Sequence, residues 1–401
     1  MTDSQKNTLP KNWELKTLGE VCLLKNGYAF KSDDYKEAGI PMIRISDIND
    51  NEIQLKNTVK VLESEDYQRF FVEYGDILIA MSGATTGKFG IYKNKEKAYQ
   101  NQRVGNFQIT NEKLLDKDFL YFSLHSLKRK IEADAYGGAQ PNISSKKIEE
   151  LQIPLPPLPE QQKIVQKIER LFTELETGTK ALKTALNQLK IYRQAVLNHF
   201  LNDESWDRAR LGEVCENVVD CLHSTAKFTD TGKFCIDTNS MVQGKILLEK
   251  ARFVDEMTFN DRVRRLKPKE GDVFFSREGT VGLSAIVPAD VDICLGQRMM
   301  MFRTGKSIIP SFFSFYLQSP LFERQYKPKI SGTTVPHLNI RDTITFLIPL
   351  PPLEVQTQIV SEIEKRMTAS DALEASLKSQ LMNAENLRQS ILKRAFEGKL
   401  V

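Results

Sequence analysis

The chain is written twice, and that duplication constrains its architecture more than any other feature. Trp13-Glu-Leu-Lys-Thr-Leu-Gly-Glu-Val-Cys22 returns as Trp206-Asp-Arg-Ala-Arg-Leu-Gly-Glu-Val-Cys215. Gly75-Asp76 answers Gly271-Asp272, Thr85-Thr-Gly87 answers Thr280-Val-Gly282, and Gln102-Arg103 answers Gln297-Arg298. Gly137 and Pro141 return as Gly332 and Pro336. Ile153-Pro-Leu-Pro-Pro-Leu158 returns as Ile348-Pro-Leu-Pro-Pro-Leu353, followed in both copies by a glutamine, Gln161 or Gln356, and an Ile-Val pair. The offset stays between 193 and 196 over most of the 401 residues, a register that chance does not hold. The repeat is about half the chain, far longer than the 20–50 residues of a solenoid unit. Two similar units in tandem are therefore expected, related by a pseudo-twofold.

Each copy has two parts of different kind. The first mixes short β-rich runs with turns, Gly75-Asp-Ile-Leu-Ile-Ala80 and Gly271-Asp-Val-Phe-Phe275 giving turn-then-strand signals. Phe119–Ile131 and Phe312–Tyr326 read as helices with aromatics on one side. The Pro-Leu-Pro-Pro segment ends this part, because proline fixes φ and disfavours helix in the residue before it. Beyond it, apolar positions step by four and three: Ile164, Ile168, Leu171, Leu175, Gly178, Leu182, Ala185, Leu189, Tyr192, Val196. That is a coiled-coil seam. The second copy reads Ile359, Ile363, Arg366, Ser370, Leu373, Leu377, Gln380, Ala384, Leu387, Ile391, with Val360, Met367, Leu381 and Leu392 flanking it. A helix of about 40 residues reaches ~60 Å, and one with an exposed apolar stripe is not stable alone in water. Antiparallel packing of the two copies follows as the economical solution, giving a rod between two similar heads. The division expected is a head over 1–153, a helical region over 154–202, a second head over 203–348 and a second helical region over 349–401.

Chemistry is conspicuous by its absence. His125, His199, His223 and His337 are scattered without metal-ligand spacing, and no H-E-x-x-H or G-x-G-x-x-G occurs. Gly83-Ala-Thr-Thr-Gly-Lys88 is one residue short of a phosphate loop, Phe89 stands where a magnesium-binding hydroxyl belongs, and the second copy has Leu283 in place of the lysine. No cofactor and no metal is expected, and the chain reads as non-catalytic. The five cysteines, Cys22, Cys215, Cys221, Cys235 and Cys294, form no C-x-x-C pair and fit a reducing cytosol. The polar N-terminal stretch lacks a signal-peptide core, and no stretch approaches the ~20 apolar residues of a membrane helix, so a cytoplasmic location without membrane contact is expected. A net charge of +4 permits nucleic-acid binding without arguing for it. Local clusters at Lys128-Arg129-Lys130, at Lys146-Lys147 and over Arg262–Lys269 are solvated faces or phosphate contacts.

Taken together, these residues resemble the specificity subunit of type I restriction-modification systems. The resemblance rests on Tyr35-x-x-x-Gly-Ile-Pro-Met-Ile-Arg-Ile-Ser-Asp-Ile48, on Gly75-Asp-Ile-Leu-Ile79 before a Ser/Gly/Thr loop, and on Gln102-Arg103. It rests equally on the twice-written Ile-Pro-Leu-Pro-Pro-Leu with its Gln-x-x-Ile-Val helix, and spans about residues 13–398. The second copy departs where Thr229-Asp-Thr-Gly-Lys-Phe-Cys-Ile-Asp237 replaces the Gly-Ile-Pro-Met-Ile-Arg form, a divergence the resemblance itself implies, since the two recognition domains of that family read different sequences. The resemblance implies an α+β fold with two target recognition domains separated by two long helices, each domain reading one half of a bipartite site on double-stranded DNA. It implies two modification subunits, which bind S-adenosylmethionine and methylate adenine, and two restriction subunits, which use ATP to translocate and cut. Two similar surfaces on one chain suit two identical partners.

Affinity for DNA comes from phosphate contacts and specificity from base edges, so repeat-equivalent polar loops are the candidates. One set is Ser82, Thr85, Thr86, Lys88, Gln102 and Arg103, matched by Arg277, Glu278, Thr280, Gln297 and Arg298. A second is Gln140 and Asn142, matched by Thr333, Thr334, His337 and Asn339. A third is Arg44, Ser46 and Asp47, matched by Asp237, Thr238 and Asn239. Gln-Arg is identical in both copies, which suits the fold or a shared phosphate contact; Ser82/Arg277 and Lys88/Leu283 differ, which suits sequence reading. Two other readings stand beside this one. A coiled-coil scaffold that binds only proteins would show no salt-dependent affinity for DNA. An enzyme with an unrecognised site would modify or cut DNA unaided.

Overall fold

The same local chemistry gives the same turn in both copies. In the computed structural model, which describes residues 9–55, 58–135, 141–332 and 334–401, the Asp76 carboxylate accepts from Glu73 N at 3.0 Å and the Asp272 carboxylate from Lys269 N at 2.9 Å. Gly75 (φ +90°) and Gly271 (φ +83°) take the left-handed position beside them, where an L side chain is strained. Each turn launches a fully buried strand, Ile77–Ala80 or Val273–Ser276.

The chain divides into two units, Met1–Ala181 with Gln380–Val401, and Leu182–Ser379. The head of the first begins and ends on an antiparallel pair, Glu14–Thr17 with Gln152–Leu155. Inside it, one sheet runs in the order Cys22–Asn26, Val104–Ile109, Ile77–Ala80, Phe89–Ile91, Asn51–Ile53, Ile48–Asn49. A second sheet runs Tyr35–Lys36, Lys60–Val61, Ile40–Ile43, Ala98–Gln100, Phe71–Val72. The head of the other unit repeats the plan. It begins and ends on Arg208–Arg210 with Leu347–Pro349. One sheet runs Cys215–Asp220, Met299–Thr304, Val273–Ser276, Ser284–Ile286, and the other Phe228–Thr229, Arg252–Val254, Lys233–Ile236, Ile293–Leu295. In both heads a parallel pairing joins equivalent strands, Ile40–Ile43 with Ala98–Gln100 and Lys233–Ile236 with Ile293–Leu295.

The long helices run Leu158–Leu201 and Leu353–Phe396, 44 residues each. Each unit takes the early part of one and the late part of the other. In the first unit Ile164, Ile168 and Phe172 share a core with Ile391, Leu392, Ala395 and Phe396, and with Leu18, Phe107, Phe119 and Ile131 of the head. In the other, Val196, Leu197 and Leu201 pack with Ile359 and Ile363 against Leu211, Phe302, Phe312 and Phe322. Arg193 bonds Ser370 (2.7 Å), Glu374 (2.6 Å) and Asp371 (2.8 Å), and Arg366 lies over the Phe200 ring at 5.0 Å. Numbers that rise along one helix thus meet numbers that fall along its neighbour, so the pairing within each unit is antiparallel.

The repeated glutamine has a structural cause. Gln161 is fully buried; its amide donates to Leu114 O and Pro156 O, both at 2.8 Å, and its oxygen accepts from Asp116 N at 2.9 Å. Gln356 does the same with Ser307 O (3.0 Å), Pro351 O (2.8 Å) and Ile309 N (2.8 Å). Each glutamine closes the gap between head and helix by satisfying three backbone groups that burial would otherwise leave unpaired.

Two sequence expectations need correction. Phe312–Tyr326 is not one helix: Pro310–Leu317 stops, and Pro320–Tyr326 starts afresh with the Ser319 hydroxyl accepting from Phe322 N. Proline tolerates only the first turn of a helix. In the C-terminal helix, alternate seam positions are displaced by one residue. Ile363, Ser370, Leu377 and Ile391 are buried as expected, but Arg366, Leu373 and Leu387 are exposed, and Met367, Glu374, Leu381 and Arg388 stand half-buried instead. The two polar members are accommodated by specific partners, Glu374 by Arg193 and Arg388 by the Phe172 ring at 4.2 Å.

Candidate nucleic-acid interface

Backbone geometry draws the candidate loops together within each head. In the first, Met81 N donates to Arg103 O (2.9 Å), Ile143 N to Met81 O (2.9 Å), Gly83 N to Pro141 O (3.0 Å) and Asn101 N to Ile43 O (3.1 Å). The Thr85 hydroxyl donates to Ile45 O at 2.8 Å. The three loop sets chosen from sequence are therefore stitched into one surface. The other head repeats the stitches: Arg277 N to Arg298 O (3.0 Å), Leu338 N to Arg277 O (2.8 Å), Gly279 N to Pro336 O (2.8 Å) and Gly296 N to Ile236 O (2.7 Å).

These matched bonds correct the repeat register by one residue. Arg277 occupies the place of Met81, and Glu278, bridged to His337, occupies that of Ser82, bridged to Asn142. The loop of the second head is one residue shorter, since Gly87 and Gly282 again correspond through Gly87 N to Ala80 O and Gly282 N to Ser276 O. Gly87, Gly282 and Gly332 all have positive φ; Gly137 lies outside the described residues.

The candidates differ in how they meet solvent. Ser46, Gln102, Arg103 and Asn142 are exposed, and Arg44, Ser82, Thr85 and Lys88 half-buried. In the second head Asn239, Thr280, Arg298, Thr334 and Asn339 are exposed, and Thr238, Glu278, Gln297 and His337 half-buried. Four side chains turn inward. The Asp47 carboxylate takes Arg44 N at 2.8 Å, and burial pushes its pKa up. The Thr86 hydroxyl donates to Gly83 O (2.6 Å) and Pro141 O (3.1 Å). Asp237 receives Asn239 N at 2.9 Å and pairs with Arg252, which also lies over the Phe228 ring at 3.5 Å. Arg277, 5% exposed, bonds Asp220 (2.8 and 3.2 Å), Glu278 (2.9 Å) and Leu338 O (3.2 Å). Gln140 and Thr333 fall outside the described residues.

Sequence reasoning passed over one element in each head: the loop after the strand Cys22–Asn26 in one, at Gly27–Tyr28, and the stretch after the strand Cys215–Asp220 in the other. Gln102 N donates to Tyr28 O at 2.9 Å, and the Gln297 amide to His223 O at 2.9 Å. The two loops differ in length and share no residues, so the repeat pattern did not mark them. The basic run after Arg262 is also more than a solvated face. Arg262 is buried and donates to Leu222 O (3.3 Å) and to Ser224 O, while Arg265 donates to Asp220 O at 3.0 Å. Lys267 and Lys233 both pair with Asp292, whose carboxyl they hold down at about 2. Lys146 and Lys147 are exposed.

Among the described residues no cluster of His, Cys, Asp and Glu could hold a metal ion, and no helix is long and apolar enough to cross a membrane. The five cysteines are buried thiols, and burial drives Cys22 and Cys215 up to about 12, well away from nucleophilic use. His125, held at about 4 by burial and by Arg388 and Lys128, is packed edge-on against Phe89 and Tyr121.

Comparison with known proteins agrees with this arrangement. The model of the type I restriction modification DNA specificity domain matches twice, at residues 10–184 and 203–383. The EcoBI specificity subunit of Escherichia coli is 25% identical over 97% of this chain and 86% of its own length. The EcoKI specificity subunit of E. coli K12 is 25% identical over 98% and 90%. Among solved structures, a chain from a study of type I R-M complex assembly and conformational transition superposes with a TM-score of 0.72 at 22% identity, over 98% of this chain and 99% of that one. The HsdS subunit of Thermoanaerobacter tengcongensis gives 0.57 at 20% identity, over 98% of both. With two copies of the domain over most of its length and the same fold, the chain belongs to the specificity subunits of type I restriction-modification systems.

Proposed function

We propose that this chain is the sequence-specific DNA-recognition subunit of a type I restriction-modification complex. Each head reads one half of a bipartite duplex site, and the paired helices fix the unread spacer. The observation that carries this reading is the duplicated stitching of polar loops, the same backbone bonds in each head presenting different side chains. A shared scaffold with divergent loop chemistry suits two unlike half-sites. In functional terms residues 1–153 and 203–348 are the reading domains, and 154–202 and 349–401 the spacers.

The exposed and half-buried loop residues are the proposed DNA contacts. Gln102, Arg103, Gln297 and Arg298, identical in both heads, suit phosphate contacts or the turn itself. Ser82, Lys88, Asn142, Glu278, His337 and Asn339, which differ between heads, suit base edges, and Thr280, the counterpart of Thr85, lies beside them. Arg44, Ser46, Thr85, Thr238, Asn239 and Thr334 complete the rim. Asp47, Thr86, Asp237 and Arg277 hold loops in place. The chain itself supplies no catalysis and carries no cofactor; two modification subunits methylate adenine and two restriction subunits cleave, all in the cytoplasm. A protein-only scaffold lacks a reason for divergent polar loops on a shared scaffold.

Purified chain incubated with S-adenosylmethionine and duplex DNA is expected to transfer no methyl groups, and to support transfer once modification subunits are added. The affinity of that complex for DNA should fall linearly on a log–log plot against salt, at about −0.9 per phosphate contact. Methylation by the chain alone, or salt-independent binding, would contradict the reading.

A further inference from the structure

The loop Asp220–Thr225 is held by side chains from elsewhere in its head, the buried Arg262 and the exposed Arg265 among them. Arg265 binds the carbonyl of Asp220, Arg262 those of Leu222 and Ser224, and the Gln297 amide that of His223. Cys221 N donates to Met299 O at 3.0 Å, and the Thr225 hydroxyl to Gln297 Oε1 at 3.2 Å. The His223 ring is fixed as well: Nε2 lies 3.2 Å from Asp220 Oδ2 and Nδ1 lies 3.4 Å from Arg277 Nη2. Yet the His223 side chain is 68% exposed. A loop whose carbonyls are bound by neighbouring side chains while His223, Ser224 and Thr225 face water is organised in advance, which lowers the ordering cost of binding.

The equivalent loop of the first head reaches the same end by different means. Tyr28 N donates to Gln100 O at 2.9 Å, and the Tyr28 ring packs on Phe30 (4.9 Å), Tyr67 (4.9 Å) and Phe70 (5.3 Å) while remaining 36% exposed. Both loops touch the Gln-Arg turn of their own head, at the edge of the surface proposed for DNA. A tyrosine on an aromatic stack and a histidine on an ionic network are the kind of divergence that two unlike half-sites demand.

We infer that this loop is a further reading element in each head, with Tyr28 and His223 as specificity-determining residues that contact base pairs in the groove of their own half-sites. The inference rests on the proposed DNA-recognition function. Asp220, Arg262, Arg265 and Arg277 are positioning residues behind His223.

The test uses the chain assembled with its modification subunits and a set of duplexes carrying every single-base substitution in both half-sites. His223→Ala, which removes a mostly exposed side chain, is expected to relax discrimination at one or two positions of the second half-site by about 5-fold to 100-fold, as loss of a base contact does. The first half-site should be read as before. Tyr28→Ala should do the converse, and Tyr28→Leu, which keeps the apolar packing, should relax the same positions; melting curves show whether each variant is folded. Unchanged base preferences in a folded His223→Ala complex would overturn the inference, as would a uniform loss across all sequences, which marks a phosphate contact. Should the unaltered complex itself methylate no bipartite site, the function proposed above fails, and that result is distinguishable from the failure of the two loops.

Discussion

Exchange of the first head, residues 13–157, for the corresponding domain of a relative should replace one half of the recognised DNA sequence and leave the other intact. The junction follows from the fold. A cut after 153 would divide the strand Gln152–Leu155, which pairs with Glu14–Thr17, whereas a cut after Pro157 leaves that pair whole. The bonds that seat the head on its helix largely survive the exchange, because Gln161 addresses only backbone groups, Leu114 O, Asp116 N and Pro156 O. What the donor must supply is apolar bulk at Phe119 and Phe122, which pack on Phe396 and Phe172 at 5.4 and 5.8 Å. Mapping methylated sites in cells that carry the hybrid reads the outcome directly. A change in both halves, or in neither, would mean that the heads do not read independently.

Replacing Arg277 by Met, the residue at the matching place in the first head, should disable the second head. The swap conserves an elongated side chain but removes the cation between Asp220 and Glu278, whose carboxylates are 13% and 21% exposed. Removing one partner of a buried pair typically costs about 3–5 kcal/mol, mostly from the charge left behind. A lowered melting temperature and loss of methylation at the bipartite site are expected. Returning the network to its original net charge with Asp220→Asn in the same chain should recover part of the stability, since the two positions belong to one network. A single variant as stable as the original would show that the network does not hold the loops.

Much of this organisation is legible in the residues, for identifiable reasons. Duplication survives as a pattern because Gly-Asp turns, the Leu-Gly-Glu-Val segments and the buried glutamines each satisfy backbone groups that any copy of the fold must satisfy. The seam of the central helix is legible at Ile164, Ile168, Leu189 and Val196, where apolar residues are buried. It blurs in the C-terminal helix because Glu374 and Arg388 sit half-buried against partners that only tertiary structure provides. The helix break at Ser319-Pro320 was written in the sequence as a cap followed by proline, but the aromatic stripe concealed it. Arg277 could not be separated from an exposed reader, since its burial depends on Asp220, 57 residues away. Loops at Tyr28 and His223 left no repeated motif, because they differ in length and are tied to the Gln-Arg turn of their own head through backbone carbonyls, which leaves their side chains free to diverge.

The most direct test of the central claim is a genome-wide map of adenine methylation in cells carrying the modification subunits, with and without this chain. A split motif, two short specific sequences around a fixed unspecific spacer, is expected only when the chain is expressed. A methylation pattern that is the same in its absence would contradict the assignment of specificity to these two heads.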